Sequence, residues 1–599
     1  MQFKNFVNYF KAGGSSVIDK LFSTAMFAFI FSNLTAAIGP TVDGIIVGIY
    51  YDIASVAAIG LTSFLLVGYR TIAATIISRG SHVIVSRLMG SGDKSGANSL
   101  FSLSIILSVS LSVLIAALSI IFAKYIAAFL GARGASVSLL VPAADYLIGY
   151  CIGLPFYTAT VILSPYIQMD GNYKCVSASS LVMTIVDIIA DLYVVLIMHG
   201  GLLEIGLATS AAHLAAFLVL ISHFIFKTSS FKFSFKNINF SQISNILQSG
   251  AASGIVKLSN TFCGILINNL LASYAAVGAI AAYSVGNSVL KACFAFWLGS
   301  ANTLMAFTSM FFGEEDKNAL HDVQKIALRK GFKLTCISAL IILIFADFFA
   351  RLFLRNGDPE TLSMARESVR FFALSMPFNV LIYCFQFYLI GSGRRAFANI
   401  YSFIIDFAIP VPVTLLIMLM LGYQGAWIAK PVINILLVFI AWRYINKQSG
   451  KDFNEKSLLL PKHFGFAPEQ ELCMDVDEMS DVMGASRLAI AFALENGFDR
   501  KHANIFSMAI EELAGNIVTY GFSDGKPHHI DIRMLAKDGG LILRFRDDCK
   551  HFDPVDKYKK ELQFDDDLEG GFAIRMMMKL AKEINYTGMY GMNNLIIKV

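Results

Sequence analysis

Two carboxylates lie four residues apart within a long apolar stretch. Asp187 and Asp191 stand at positions i and i+4, so on a helix both side chains share one face. An ionised side chain near the middle of a membrane costs about 3 kcal/mol or more, and each one is therefore a candidate for function. Two carboxylates this close influence each other's protonation, as a site that releases H+ or Na+ requires. The pair predicts a cation-coupling site.

Five more charged residues fall inside apolar stretches. Arg70 lies in the first half of the chain, and the second half holds Lys257, Lys291, Asp406 and Lys430. The same cost makes each of them a candidate for the lining of a substrate site. Two interpretations stay open for the basic residues, because they could pair with carboxylates inside the protein or face an anionic substrate. The sign of the substrate's charge is left open.

The composition excludes an ordinary soluble enzyme. The 599 residues are 56% hydrophobic and 15% charged, with a mean hydropathy of +0.62, whereas soluble domains carry roughly 25% charged residues. Residues 1–460 hold 31 Lys and Arg against 20 Asp and Glu, but residues 461–599 hold 17 against 23. An apolar, basic block followed by a short acidic one indicates a membrane bundle with a soluble tail.

Twelve stretches are long and apolar enough to cross a bilayer as helices. They lie near 21–49, 56–79, 98–123, 140–165, 176–198 and 202–226, then near 248–274, 277–311, 331–354, 368–390, 397–421 and 424–445. With the N-terminus inside the cell, the connections on that side collect most of the Lys and Arg, among them Lys325, Arg329, Lys330 and Lys333. This bias follows the positive-inside rule and places both termini in the cytoplasm of a bacterium, with the bundle in its inner membrane.

The two sets of six stretches repeat each other. Four short motifs recur in the same order at offsets of 219 to 223 residues. Leu88-Met-Gly-Ser-Gly-Asp-Lys94, for example, corresponds to Phe311-Phe-Gly-Glu-Glu-Asp-Lys317 at the end of the eighth stretch. A six-helix unit duplicated in parallel predicts two lobes around a substrate site near the middle of the membrane. This is the layout of a transporter.

Several motifs then point to one family. Asp43-Gly-Ile-Ile-Val-Gly48 and Met89-Gly-Ser-Gly-Asp93 resemble the opening of MATE-family multidrug antiporters, and Ile185 to Asp191 followed by Gly206-Leu-Ala-Thr209 resembles the family's fifth- and sixth-span signature. The resemblance covers roughly residues 15–447. It implies export of organic, often cationic, compounds in exchange for Na+ or H+.

The resemblance also assigns a residue. Asp43 matches the family's first-span aspartate and becomes the first candidate for cation coupling, although an aspartate near the end of a span could also act as a helix cap. Where the family usually has Asn and Asp-Pro in the fifth span, this chain has Asp187 and Asp191-Leu192. Some members carry an acidic residue in the seventh span, where the nearest charge here is Lys257, so we expect coupling in the first half.

After Pro461 the pattern becomes that of a small soluble domain. Glu478–Glu495 and Arg500–Tyr520 have apolar residues three and four apart, which predicts two helices. Alternating segments on either side of Asp538-Gly-Gly540 predict a β-hairpin. We expect another helix over Glu569–Ile584 and a last strand over Met592–Val599. A mixture of helices and antiparallel strands over these residues predicts one α/β sandwich.

The tail resembles the GHKL ATPase fold, in particular the serine kinases that act on antagonists of anti-sigma factors. Glu511-Glu-Leu-Ala-Gly-Asn516 matches the family's N-box, which makes Glu512 the catalytic candidate and Asn516 the ligand of Mg2+. Asp547 matches the aspartate that reads the adenine amino group. Gly570 and Gly571 before a helix match the phosphate loop. The implied cofactors are Mg2+ and ATP.

The tail departs from this pattern at two glycine positions. The family's Asp-x-Gly-x-Gly is here Asp547-Asp-Cys549-Lys-His551, and a later glycine of the second box is Ala573. A Cβ at Cys549 or His551 restricts the backbone if a positive φ is needed there. Nucleotide binding without phosphoryl transfer is therefore a separate possibility, and the sequence leaves the tail's enzymatic activity open.

These observations predict an all-α bundle of twelve spans in two pseudo-symmetric lobes, with a cytoplasmic GHKL-type α/β sandwich. The expected segments are an N-terminal segment 1–20, lobes 21–226 and 248–445, linkers 227–247 and 446–460, and the domain 461–599. The leading hypothesis is a secondary transporter that exports a small organic compound in exchange for H+ or Na+, with nucleotide binding on the tail as its control. A membrane receptor whose tail phosphorylates or docks a cytoplasmic regulatory protein, and an ATP-driven exporter, are the alternatives. The partners expected are lipid, substrate and nucleotide, with no nucleic acid.

Overall fold

In the part of the chain that the structure describes, twelve long helical rods and the short helices Ala123–Leu130 and Ala346–Phe353 form a bundle, which is followed by a five-stranded sheet with two helices. The computed structural model describes residues 16–51, 53–130, 132, 139–226, 229–234, 238–273, 277–354, 359–449, 458–524, 527–537, 540–550, 553 and 581–599. This arrangement confirms the predicted fold class of a helical membrane bundle with an α/β tail.

The rods of the first lobe, called spans one to six, follow the predicted stretches closely. They are Ser16–Tyr50, Ile53–Arg70 continued by Ile76–Ser91, Lys94–Ile121, Leu140–Met169, Tyr173–Tyr193 and Leu202–Phe226. Spans seven to twelve are Ile243–Ser273, Val277–Gly313, Lys317–Ile344, Pro359–Gly391, Arg395–Phe403 continued by Pro410–Leu421, and Gly425–Gln448. The ninth and tenth spans begin well before the predicted 331 and 368, because polar turns of helix extend the apolar stretches.

Hydropathy alone recovers fewer spans than the helices show. Nine helical stretches of the described residues are long and apolar enough to cross a membrane, or ten if the bent pair Lys317–Ile344 and Ala346–Phe353 forms one span. One of the nine, Arg395–Gln448, contains both the eleventh and the twelfth rod, which separate at Gly422 with φ +66°. The seventh rod, Ile243–Ser273, lies outside these stretches.

The duplicated motif forms matching turns after the second and eighth spans. Asp93 accepts a hydrogen bond from the backbone N–H of Gly96 at 2.8 Å, and Asp316 accepts one from Ala319 at 2.9 Å, so each aspartate caps the helix that follows. The equivalent residues Gly92 and Glu315 both have positive φ, +89° and +53°. The end of the bundle that carries these turns faces the tail, and we call it the tail-side end.

At this end the second and eighth spans touch backbone to backbone. A Cβ on Gly313 would lie 2.1 Å from the carbonyl oxygen of Arg87, and one on Gly90 would lie 2.3 Å from that of Met310. No larger side chain fits at either position without separating the helices. Because these spans belong to different lobes, the lobes are in direct contact at the tail-side end.

The five strands of the tail form one antiparallel sheet in the order β1-β2-β3-β5-β4. They are Glu471–Val476, Ile530–Lys537, Gly540–Asp547, Glu583–Met589 and Met592–Lys598. The helices Met479–Glu495 and Arg500–Asn516 pack on one face of this sheet through residues such as Phe545, Ile532 and Leu595.

The opposite face of the sheet lies against the bundle. Side chains alternate between the two faces of a strand, so Leu543 and Phe545 meet the tail helices while Arg544 and Arg546 point the other way, toward Glu314 of the eighth span's turn. Met589 and Met592 pack in the same apolar cluster as the bundle. The tail is therefore docked on the bundle through residues of β2, β3 and β5 and through the turn between β4 and β5.

One predicted element of the tail was wrong at its end. Glu583 and Ile584, expected at the end of a helix, belong to β4 and pair with Lys598 and Ile597 of β5. Residues 569–580 of that prediction lie outside the described residues. The alternation of Ile584 and Tyr586 toward the tail core favours the strand. The predicted hairpin of β2 and β3 and the last strand both formed.

Candidate functional site

An aromatic cage surrounds Arg70 inside the first lobe. The guanidinium carbon lies 5.7 Å from the ring centroids of both Tyr150 and Tyr157. His213 of the sixth span packs against the same rings, with centroid distances of 5.6 and 5.0 Å. The guanidinium of Arg70 thus makes cation–π contacts with both rings, which stabilise a positive charge inside the lobe.

Asp187 and Asp191 are both buried in the fifth span. Their exposed fractions are 7% and 0%. Asp187 lies beside the hydroxyl of Thr209 and near Tyr150 of the cage, and its Oδ1 atom receives no hydrogen bond from any residue in the described part of the chain. A buried carboxylate oxygen without a donor is costly unless a proton or cation can occupy it.

Turns of π-helix lie close to these candidates. Within the described residues the bundle has three: Thr71–Thr75 directly after Arg70, Val194–Met198 three residues after Asp191, and Ile404–Ala408 around Asp406. Such turns bulge from a regular helix and are frequent at functional sites. Each π-turn thus interrupts the regular helix close to a charged side chain: Arg70, Asp191 or Asp406.

The second lobe holds its own buried carboxylate. Asp406 accepts hydrogen bonds from Asn260 Nδ2 at 2.8 Å and from the Tyr383 hydroxyl at 3.2 Å. Its other oxygen has no donor among the described residues. Lys430 and Cys263 are the neighbouring titratable groups. Asp406 is thus a second candidate for cation exchange, although we expected coupling in the first lobe.

The remaining predicted residues of the bundle are dispersed. Lys257 is exposed, and its Nζ lies 3.3 Å from the Thr75 hydroxyl at the π-turn of the second span. Lys291 is exposed on the eighth span. Asp43 lies in the first span, and its side chain is outside what the structure describes. The structure therefore brings Arg70 and Asp187 to one region and leaves the lysines elsewhere.

In the tail, Asp547 ends β3 on the face that meets the tail helices. It is 4% exposed, and its Oδ1 accepts hydrogen bonds from Asn593 Nδ2 at 2.7 Å and from the backbone N–H of Cys549 at 3.0 Å. Burial raises the pKa of this carboxyl, and the hydrogen bond from Asn593 opposes the rise. Asn593 had not been predicted to lie at this site.

The predicted N-box lies on the second tail helix. Glu512 is half-buried, and Asn516 is exposed as the last residue of the helix. Glu511 accepts a hydrogen bond from the Ser486 hydroxyl, so it ties the two tail helices together and leaves Glu512 as the carboxylate next to Asn516. A π-turn, Ile517–Gly521, follows at once.

The loop after β3 closes against this π-turn. A Cβ on Gly521 would lie 2.8 Å from Cys549 Sγ, so the N-box segment and the altered glycine box are in contact. Cys549 is not among the residues with positive φ, and its side chain is therefore accommodated without the strain that a left-handed conformation would impose. His551, Phe552, Gly570, Gly571 and Ala573 lie outside the described residues.

Asp548, the residue after Asp547, faces the bundle. Its carboxylate accepts hydrogen bonds from Lys20 Nζ at 2.5 Å and pairs with His528 Nδ1 at 3.0 Å. Burial alone would raise its pKa, but Lys20 and His528 outweigh that effect and lower it. His528, Asp548 and Cys549 offer possible metal-ligating atoms within 4.8 Å of one another, yet Lys20 already neutralises the carboxylate.

Comparison with protein families agrees with the duplicated bundle. The MatE family model matches residues 28–192 and again 252–416, which together make up more than half of the chain. The chain belongs to the MatE family. Its two matches fall one in each lobe and confirm the sequence repeat.

Characterised relatives align with most of their length. The multidrug export protein MepA of Staphylococcus aureus strain MSSA476 is 23% identical over 348 residues, which are 58% of this chain and 75% of MepA. MepA of Staphylococcus haemolyticus is 22% identical over 374 residues, 61% of this chain and 81% of the relative.

Solved structures share the fold of the bundle. A mutant of the Vibrio cholerae MATE transporter VcmN matches with a TM-score of 0.65 and 18% identity over 72% of this chain and 96% of that one. A MATE transporter in complex with MaL6 matches with a TM-score of 0.67 and 17% identity over 73% and 97%. At these identities the likeness concerns the fold alone.

The tail matches a second family. Residues 477–598 match the model described as a histidine kinase-like ATPase domain. The chain therefore joins a MatE-family transporter to a GHKL-like domain, as its motifs predicted. Sequence reasoning missed Tyr150, His213 and Asn593, because no charge or motif marks them. It also missed Glu314. The available signal was the difference between Glu314 and Ser91, the equivalent residue of the first repeat.

Proposed function

We propose that this chain exports a small organic compound from the cytoplasm in exchange for H+ or Na+. The observation that carries the proposal is the buried Asp187, with an oxygen that receives no hydrogen bond from the described residues, beside Asp191 in a MatE-family bundle. Multidrug export by the MepA relatives favours a broad range of substrates. The basic connections support an orientation with both termini in the cytoplasm of a bacterium, and so with the tail beneath the inner membrane.

The direct test is flux in proteoliposomes that contain the full chain. With a fluorescent organic cation at the same concentration on both sides, we expect net movement out of the liposomes when H+ or Na+ is higher outside, and none beyond leakage without that gradient. Mg-ATP alone should not drive flux. Uphill movement with ATP and no ion gradient would instead make the chain an ATP-driven exporter and would contradict this proposal.

The tail is proposed to bind Mg-ATP as a regulator. The residues present fit such a ligand in part: Asn516 offers an exposed amide oxygen to Mg2+, and Asp547 offers a buried carboxylate to the base. Glu512 would position a water or hydroxyl if the tail has catalytic activity. Bound nucleotide supplies a phosphate charge, and binding can bias the bundle only if one conformation binds it better.

The position of Asp547 suggests how that bias would reach the bundle. Its neighbour Arg546 contacts Glu314 and Asp316 of the second lobe, and its other neighbour Asp548 contacts Lys20 of the first span. A ligand at Asp547 would thus act between two anchors of the tail. By reciprocity the same contacts could carry a signal outward to a cytoplasmic regulatory protein, and capture of such a protein dependent on substrate would favour the receptor alternative.

Binding of Mg-ATP to the full chain tests the regulatory proposal. We expect saturable binding that weakens at least about tenfold in Asn516→Ala, equivalent to ~1.4 kcal/mol for one lost ligand interaction. Asn496→Ala is the matched control, since that amide caps the other tail helix through Phe492. Equal affinity in wild type and Asn516→Ala would remove Asn516 from the site.

A further inference from the structure

The turn between β4 and β5 carries a bulky residue in a conformation that favours glycine. Tyr590 and Gly591 have φ values of +54° and +81°, the signs that a two-residue type I′ hairpin turn requires. A side chain with a Cβ is strained at positive φ, and an aromatic residue there is an outlier. Tyr590 is nevertheless 1% exposed, so the strained turn delivers its ring to the protein interior.

Tyr590 is seated in the first lobe through hydrogen bonds. Its hydroxyl lies 2.9 Å from both His82 Nε2 and Ser86 Oγ of the second span. Its backbone N–H donates to the carbonyl oxygen of Met169 at 2.6 Å, and its own carbonyl oxygen accepts from the Tyr173 hydroxyl at 3.4 Å. Hydrogen bonds thus fix both the side chain and the backbone of Tyr590 against the first lobe.

The same ring meets the second lobe. It stacks on Phe307 of the eighth span, with centroids 5.2 Å apart and planes inclined by 24°. Tyr590 thus touches the second and the eighth span, which also meet at Gly90 and Gly313. Tyr590 therefore packs between the two lobes at the tail-side end.

A second attachment is made by the turn after the eighth span. Glu314 accepts hydrogen bonds from Arg544 at 3.1 Å, from Asn594 at 2.9 Å and from Arg546. Arg546 also donates to Asp316 at 2.6 Å. Burial alone would raise the pKa of Asp316, but Arg546 and Arg533 outweigh it and hold that pKa well below the usual range.

The repeat shows that this attachment is particular to the second lobe. The first lobe has Ser91-Gly92 where the second has Glu314-Glu315, while the capping aspartates Asp93 and Asp316 are retained. Glu315 takes a positive φ at the glycine position, and its carbonyl oxygen accepts a hydrogen bond from Arg533 at 3.2 Å. The turn after the eighth span thus differs from the equivalent turn after the second span at the residues that contact the tail.

We infer that the docked tail holds the two lobes together at the tail-side end and so acts as a lock on the bundle. The Tyr590 turn lies between the lobes and the sheet binds Glu314, so the tail-side end opens only after the tail has undocked. The inference rests on the proposed transport function, because alternating access requires that end to open in turn. It assigns to the tail a mechanical role that needs no catalytic activity.

Distances between spin labels on the two lobes test the lock in the full chain. Ser91→Cys and Asn318→Cys place labels on exposed positions at the tail-side ends of opposite lobes, after accessible native cysteines are replaced by serine. In the parent protein we expect a short distance, with any longer one below roughly 10%. Tyr590→Ala and Glu314→Gln should each raise the longer population several-fold. Tyr590→Phe, which keeps the ring and the fold, should raise it less.

The controls are Tyr125→Ala and Glu315→Gln. Tyr125 is 75% exposed on the far side of the first lobe, and the Glu315 side chain makes an exposed pair with Lys537. Unchanged distances in Tyr590→Ala, Tyr590→Phe and Glu314→Gln would overturn the lock, as would equal lengthening in the two controls. The measurement needs no substrate, so a chain that transports nothing in proteoliposomes could still show the lock, and the two proposals fail separately.

Discussion

Replacing Asp187 by asparagine should abolish ion-coupled export. Asparagine keeps the shape of the side chain and its contact with Thr209, but it cannot exchange a proton or hold a cation by charge. Without an exchangeable charge at this position we expect coupled flux to fall by roughly 100-fold or more, which corresponds to about 2.8 kcal/mol. The measurement is gradient-driven efflux from proteoliposomes. Asp43→Asn should give the same loss if the first-span aspartate shares the site.

Asp347→Asn is the matched control for this loss. Asp347 is an exposed carboxylate of the bundle that pairs with Arg351 at 2.7 Å, so its removal should leave flux nearly unchanged. Asp406→Asn distinguishes the lobes, because coupling through the second lobe would make that variant the inactive one. Wild-type flux with unchanged gradient dependence in Asp187→Asn would refute its assignment.

The bundle was predictable because its signals are repeated along the chain. Twelve apolar stretches and four motifs at a near-constant offset are each read from local sequence, and the MatE matches cover the same two halves. Asp187 and Arg70 could be found as charges in apolar surroundings. Tyr150 and His213, which pack around Arg70, could not, because an aromatic residue in a span gives no sign of which neighbour it faces.

The docking of the tail could not be predicted for a different reason. Its decisive contacts join residues more than 200 positions apart, such as Glu314 with Arg546 and His82 with Tyr590. Alternating side chains predict that β3 has two faces, and two arginines on one of them, Arg544 and Arg546, suggest solvent rather than a buried interface. The replacement of Ser91-Gly92 by Glu314-Glu315 in the repeat was the available signal.

If the docked tail holds the lobes together, the free energy of docking the tail and the free energy of closing the lobes at the tail-side end are coupled. Any ligand that binds the tail better in its docked form favours lobes closed at the tail-side end, and any ligand that favours the undocked form does the reverse. If the proposed nucleotide binds at Asp547, the positions of Arg546 and Asp548 on either side of that residue would let it act as such a ligand. The strength of the docking then sets how far a nucleotide can shift transport.

Replacing Glu314 by glutamine should weaken the docking of the tail more than any other single charge change at the sheet face. The side chain of Glu314 is 0% exposed, and those of Arg544 and Arg546 are 5% and 2% exposed. Removing one partner from such a buried group leaves uncompensated charge and costs about 3–5 kcal/mol. We expect the amide hydrogen of Tyr590, which donates to the carbonyl oxygen of Met169 across the interface, to exchange at least roughly 100-fold faster, since each 1.4 kcal/mol of opening free energy is a factor of ten.

The neighbouring Glu315→Gln supplies the control at one residue's distance. Its side chain and that of Lys537 are 45% and 44% exposed, and an exposed pair contributes about 0–1 kcal/mol, so exchange of the Tyr590 amide should rise by less than about fivefold. The pair of Asp316 with Arg546 is touched by neither substitution. Equal protection of the Tyr590 amide in Glu314→Gln and Glu315→Gln would show that the buried carboxylate does not hold the tail.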